Sequence, residues 1–378
     1  GLSYYLCHES GPRFVSRVAL WQYLLAVGNF AGIVVSLLLG YFGGGEYLEA
    51  PMVFKLGLLI ALLLWLINLG VIFFSSSGRG QTTTLTMVAA VGVLASMVLL
   101  IPNIVPANHP IAFQVFRFLV VHLWEEGSVE LVASGIFAAV LAAVLRVPWE
   151  KLEPWLLVEA TLILISGTLA TAHHYYWLGA GILWTIGGVI FSALQLVPVA
   201  IMAYLTFHHS SQRRAKEPIS PTLACLWSAA FWNVIGVGTL GFFMAIPQVN
   251  RYTHGTYMTS AHAHMAVFGL LGFIVLAGCL HSLADGHAVW QRRRLWAIIA
   301  LNLGLGIMGV ALFFAGAVQA YVLRVAGMPF KETLLLLRPY FIVRLLGGLI
   351  FALGGVGLAA ATLTPPLIVW WSKRRGNA

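Results

Sequence analysis

The chain has 378 residues, of which 60% are hydrophobic and only 9% charged, with a net charge of +9 and a mean hydropathy of +0.91. A soluble domain of this size carries about 25% charged residues, so a water-soluble enzyme is excluded and an all-α polytopic membrane protein is expected. The positive balance does not point to nucleic acid, because most Lys and Arg fall in short loops between apolar runs, where they set topology.

Apolar runs fall at 15–42, 52–75, 81–103, 111–147, 154–175, 179–207, 221–247, 257–284, 292–325 and 338–372. Each is long enough to cross a bilayer as a helix. This predicts ten transmembrane helices in one membrane domain spanning 1–378, with no linker and no fixed-period repeat. Arg13, Arg17, Arg79, Arg146, Lys151, Arg213, Arg214, Lys216, Arg292, Arg293, Arg294, Lys373, Arg374 and Arg375 all fall on one side of that arrangement. Arg251, Arg324, Lys331 and Arg338 fall on the other, so both termini are expected in the cytoplasm. Cys7, Cys225 and Cys279 are far apart and have no metal-binding or redox spacing, so no disulfide framework is expected. Gly1-Leu-Ser-Tyr-Tyr-Leu-Cys7 reads as the tail of an interrupted helix.

The fourth run contains Val121-His-Leu-Trp-Glu-Glu-Gly-Ser-Val-Glu-Leu131. His122, Glu126 and Glu130 recur at i, i+4 and i+8, which drifts only about 80° around a straight helix and makes one polar stripe. Isolated, His122 with Glu126 would be a buried pair of little net stability. Four ionisable residues in nine positions, Glu125 included, cost roughly 2.5–3.5 kcal/mol each at mid-membrane and must face the bundle interior. Imidazole with carboxylate is a transition-metal ligand set, so a metal ion is the expected partner.

Two further histidine groups reach a similar depth. His173 and His174 close the fifth run at its outer end, where two successive rings can turn towards one ion. With His122 they give three imidazoles, and Glu126 adds an oxygen, a set that suits non-haem iron with an open position better than structural zinc. His262 and His264 open the eighth run; two residues apart, they point about 200° apart on a helix and cannot share one metal. Each can ligate a different centre, and Ala261, Ala263 and Ala266 leave room for macrocycles, which favours haem. His208 and His209, at a cytoplasmic helix end, read as a solvated pair.

Four blocks carry a family resemblance: His122-Leu-Trp-Glu-Glu-Gly-Ser-Val-Glu-Leu131, Ala172-His-His-Tyr-Tyr-Trp-Leu-Gly179, Phe191-Ser-Ala-Leu-Gln-Leu-Val-Pro198, and Tyr252-Thr-His-Gly-Thr256 followed by Ala261-His-Ala-His264. Together, with their spacings, they resemble the catalytic subunit of bacterial nitric oxide reductases, in the haem–copper oxidase superfamily. The resemblance implies that His122, His173, His174 and Glu126 are ligands of a non-haem iron. It implies that His262 is the proximal ligand of a high-spin haem b and His264 one axial ligand of a low-spin haem b. Glu130 resembles a second glutamate that serves the proton route or its support, and Glu46 resembles a ligand of a calcium ion bridging haem propionates. Gln195 stands where the family usually has a glutamate beside the iron, and Gly45 where it has an arginine. The family has two further helices before the position of Gly1, the second bearing the other low-spin haem histidine, so the chain is expected to be truncated at its N-terminal side.

The implied reaction joins two NO, two electrons and two protons into N2O and water, in a bacterial inner membrane, with either a cytochrome c subunit or quinol as electron donor. A carboxylate ligand in place of a neutral one favours the harder iron ion over copper. A dismutase-like relative, suggested by Gln195 and Glu125, and an oxygen-reducing terminal oxidase stay open as alternatives. A secondary transporter would show broken helices and inverted repeats, and neither is evident in the sequence.

Overall fold

A computed structural model of the chain describes residues 15–45, 48–76, 80–105, 109–179, 181–212, 218–283 and 288–376, with side chains to 365. Among the described residues there is no strand, and ten helices are long and apolar enough to cross a membrane. They are α1 Ser16–Leu38, α2 Met52–Ser75, α3 Gln81–Ile104, α4 Pro110–Leu145, α5 Trp149–His174, α6 Ile182–Ser211, α7 Pro221–Ala245, α8 Tyr257–Leu283, α9 Ala288–Arg324 and α10 Arg338–Pro365. Each coincides with one predicted run, as expected when a backbone without water must satisfy its own hydrogen bonds. The chain is a multi-pass membrane protein.

The helix starts have local causes. Pro110 and Pro221 occupy first-turn positions, where their missing N–H is not needed. Ser220 caps α7 by accepting from the Leu223 amide at 3.1 Å. Gly255, at a φ of +75°, turns the chain into α8, where Thr256 accepts from the Met258 amide. Within α6 the helix is interrupted at Gln195, between Ile182–Leu194 and Leu196–Ser211. Pro198 cannot donate to the Leu194 carbonyl, which explains the break.

Three helices depart from the regular ladder. Over Trp124–Val129 in α4, Asn233–Thr239 in α7 and Met265–Leu271 in α8 the turns widen to π geometry. Such wide turns are rare and frequently mark functional sites. By contrast, α5 tightens at its end into a 3-10 turn over Thr171–His174.

The chain divides into two compact units, 1–139 with 148–195 and 140–147 with 196–378. The first is built on an apolar core of Leu69, Ile72, Leu85, Ala89, Val93, Ala138, Ala139 and Leu156, drawn from α2 to α5. In the second, α9 and α10 meet through small residues: a Cβ on Gly304 would lie 2.4 Å from the Phe351 amide, and one on Gly347 would lie 2.9 Å from the Gly304 carbonyl. Close backbone approach of this kind is how helices associate where apolar burial offers no preference for protein over lipid. Cys225 and Cys279 are free thiols, and Cys7 lies outside the described residues.

Candidate metal and cofactor site

The first unit brings His122, His173 and His174 together, with one ligand atom from each lying within 4.8 Å of the others. The ring centroids are 5.1 Å apart for His122 and His173, 5.3 Å for His122 and His174, and 4.2 Å for His173 and His174. His122 is 3% exposed, and its Nε2 has no hydrogen-bond partner. A buried polar atom left in that state is costly in a protein interior, and a metal ion among three imidazoles removes the cost. The residues present therefore fit a bound transition metal. The tight turn at Thr171–His174 is what lets successive rings face one point.

Glu126 enters the same group. Its Oε2 lies 3.6 Å from His122 Nε2 and accepts a hydrogen bond from Gln195 Nε2 at 2.8 Å. The spacing of His122, Glu126 and Glu130 is read on a straight α-helix, and the structure widens that helix between them. The wide turn at Trp124–Val129 holds an extra residue per turn, which offsets the drift of about 80° that a straight helix gives over His122, Glu126 and Glu130. Neighbouring helices make space for that turn. A Cβ on Gly167 of α5 would stand 2.6 Å from the Glu126 carbonyl oxygen, and one on Gly92 of α3 would stand 2.7 Å from that of Ser128.

Several supporting residues were not visible in the sequence. Ser192 lies 3.0 Å from His173 Nδ1, a second partner that fixes the ring and directs Nε2 to the centre. Gly188, one turn earlier on α6, leaves the His173 backbone room, since a Cβ there would be 2.9 Å from its amide. His174 stacks on Phe118 with centroids 4.8 Å apart and planes 7° apart, and the Arg117 guanidinium lies 4.6 Å from the centre of the same Phe118 ring. Tyr175 donates to the Val115 carbonyl at 2.9 Å and ties the end of α5 to α4. Burial pushes its phenol upward and that of Tyr176 up to about 12.

Glu159 was also missed. It is 4% exposed on α5 and accepts from Ser134 Oγ of α4 at 3.0 Å. The readable signal was a lone acid inside the apolar run 154–175, which at membrane depth suggests function by default. Glu130 lies within electrostatic reach of both Glu126 and Glu159.

In the second unit, His262 and His264 sit at the end of the regular part of α8, just before its wide turn. His262 Nδ1 is 2.8 Å from the Gly236 carbonyl in the wide turn of α7. His264 Nδ1 is 2.8 Å from the Ser260 carbonyl of its own helix, and its Nε2 is 3.4 Å from Arg344 Nη2 of α10. The rings thus face different neighbours, in keeping with the expectation that they cannot serve one ion. Donation from Nδ1 to a carbonyl puts the lone pair on Nε2, the tautomer an axial ligand needs. A Cβ on Gly241 would be 2.8 Å from His262 Cε1, so glycine there makes room for the ring itself. These residues fit haem ligation. Glu46, the expected calcium ligand, lies outside the described residues. Of the pair expected to be solvated, His208 is exposed at the end of α6 and His209 is half-buried.

A three-imidazole group with one ring fully buried, with a carboxylate beside it and separately anchored axial-type histidines on a ten-helix fold, is the arrangement of a redox enzyme. The family described as cytochrome c and quinol oxidase polypeptide I matches residues 1–350, and the chain belongs to this family of haem–copper oxidoreductases. It is similar to a nitric oxide reductase subunit of Stutzerimonas stutzeri, 30% identical over 326 residues that cover 82% of this chain and 67% of the relative. It is also similar to a cytochrome c oxidase subunit 1 homolog of Agrobacterium tumefaciens, 28% identical over 189 residues, covering 46% of this chain and 34% of the relative. A bacteroid cytochrome c oxidase subunit 1 homolog of Bradyrhizobium diazoefficiens is 26% identical over 208 residues, covering 50% and 35%. The chain therefore spans 67% of the first relative's length and about a third of the other two.

Proposed function

We propose that the chain is the catalytic subunit of a nitric oxide reductase in a bacterial cytoplasmic membrane, converting two NO, two electrons and two protons into N2O and water. The observation that carries this reading is the grouping of His122, His173 and His174 within 4.8 Å, with Glu126 beside His122. In this reading those four residues hold a non-haem iron, His262 holds a high-spin haem b and His264 a low-spin haem b. The irons, when bound, supply electrons and sites for two NO molecules. The similarity to the nitric oxide reductase relative extends over 82% of the chain, and a carboxylate in the ligand set suits iron better than copper.

The remaining work falls to the protein's own side chains. Ser192 holds His173 in one orientation, and Gln195 holds the Glu126 carboxylate by donating from Nε2. Gln195 cannot carry a proton, so Glu126 and Glu130 bear the proton traffic. Burial of His122 and the apolar packing of α3, α4 and α5 restrict water to those polar groups. Electrons arrive from a cytochrome c subunit or from quinol.

Isotopically labelled NO given anaerobically to the haem- and iron-loaded protein tests the reading, with labelled N2O as the expected product. Labelled N2 together with O2 would instead establish dismutation, the reading that Gln195 favours. Consumption of O2 with no consumption of NO would establish an oxidase, the activity named for the two oxidase homologs.

A further inference from the structure

We propose that Glu159, acting through Ser134, relays protons to Glu130 from the cytoplasmic half of the membrane. The inference rests on the nitric oxide reductase reading for the oxidant alone; the relay belongs to residues of the first unit.

Glu159 is the only acidic side chain among the described residues that is buried to this degree. It lies beside an apolar cluster of Val88, Leu131, Ala160 and Ile163, where a carboxylate is expensive and a leucine would pack as well. It accepts a hydrogen bond from the Ser134 hydroxyl at 3.0 Å, and a glutamine would satisfy that hydroxyl equally. What glutamine could not do is release and regain a proton. Ser134 stands one helical turn beyond Glu130 on α4, about 6 Å along the axis. Glu130, one turn before Ser134 on the same helix, is within electrostatic reach of both Glu159 and Glu126.

The direction follows from α5. Glu159 is fourteen residues before His173, about 21 Å nearer the other end of the helix. That end carries Arg146 and Lys151, the charges that mark it as cytoplasmic. Six residues nearer that end, about 9 Å along the axis, half-buried Glu153 accepts a hydrogen bond from Thr84 of α3. From the cytoplasmic end inward the acids thus come in the order Glu153, Glu159, Glu130 and Glu126, with Ser134 between the middle two. Water must span the first gap, because Leu156 is buried between Glu153 and Glu159.

Each passage changes O–H bonds only. Neutral Glu159 gives its proton to the Ser134 oxygen, which passes its own proton on to the Glu130 carboxylate. Glu159 is left anionic with Ser134 again donating to Oε1, and water from the cytoplasmic side restores the acid. Protons drawn from that face would make turnover move charge across the membrane.

The experiment uses the haem- and iron-loaded holoenzyme, wild type and with Glu159→Gln, Glu159→Asp or Ser134→Ala. Redox-difference infrared spectra should contain a carboxyl C=O band that shifts in heavy water, is lost in Glu159→Gln and moves in Glu159→Asp. In oriented vesicles, proton uptake during NO reduction should come from the cytoplasmic face. It should slow by about 10²-fold in Glu159→Gln, with iron and haem contents unchanged and partial rescue in Glu159→Asp. Full uptake in Glu159→Gln with the band intact overturns the relay, as does uptake from the opposite face. Should Glu159→Gln fail to bind haem, Ser134→Ala decides, since it keeps the carboxyl and must slow uptake; an unchanged rate overturns the proposal. A wild type that consumes no NO refutes the nitric oxide reductase reading, and the infrared band then tests the relay by itself.

Discussion

In the first unit three imidazoles come from two helices and turn towards one another, whereas in the second two imidazoles leave one helix and turn to different neighbours. His122 ends in a buried nitrogen with no hydrogen bond, while His262 and His264 each anchor Nδ1 on a backbone carbonyl at 2.8 Å. A convergent set leaves a nitrogen, His122 Nε2, for an ion to engage. A divergent set is oriented by the backbone before any ligand arrives. In the proposed reading, the same residue type thus serves a small ion in one unit and two macrocycles in the other.

The largest expected effect breaks the comparison into its halves. His122→Ala or His173→Ala should abolish NO turnover and lose non-haem iron while haem stays bound, and His262→Ala should lose high-spin haem while the iron stays. Metal analysis and haem spectra on the three variants check this. Iron kept in both of the first two variants would sink the ligand assignment. Next comes Glu130→Gln, which should lower turnover by about 10²-fold with iron retained, as read by stopped-flow NO consumption and iron content. Loss of iron there would make Glu130 a ligand and erase the separation of roles along α4.

Ser192→Ala sharpens the contrast between a side-chain anchor and backbone anchors. It should weaken iron binding by about 10- to 100-fold, seen in chelator competition, with haem spectra unmoved. The smallest effect belongs to Gln195→Glu, which adds a proton donor next to Glu126 and should preserve or raise turnover. A steep fall in NO consumption would show that the amide's hydrogen bond to Glu126, rather than its lack of a proton, governs the position.

The ten spans were legible because apolar length and loop charge are sufficient to count membrane helices. His122, His173 and His174 could be brought to one depth by that count alone. The wide turn at Trp124–Val129 could not be read, since Gly127 and Ser128 look ordinary in a helix and no proline announces a change of ladder. Ser192 and Ser134 were illegible because a lone serine in an apolar span gives no hint of its partner until helices are packed. Glu159 was there to be seen, but it has no second acid at helical spacing, and the crowded stripe on α4 overshadows it.

Gly92 and Gly167 give the centre a dependence that its ligands do not reveal. Neither supplies an atom to it, yet the carbonyls of Ser128 and Glu126 occupy the space that a methyl group on either would fill. An alanine at one of them would have to straighten the bulging backbone of α4 or push it away, and the Glu126 carboxylate would travel with it. The centre is thus inherited through positions beyond its ligands. A descendant can keep every histidine and glutamate and still lose the chemistry through one added carbon on a neighbouring helix.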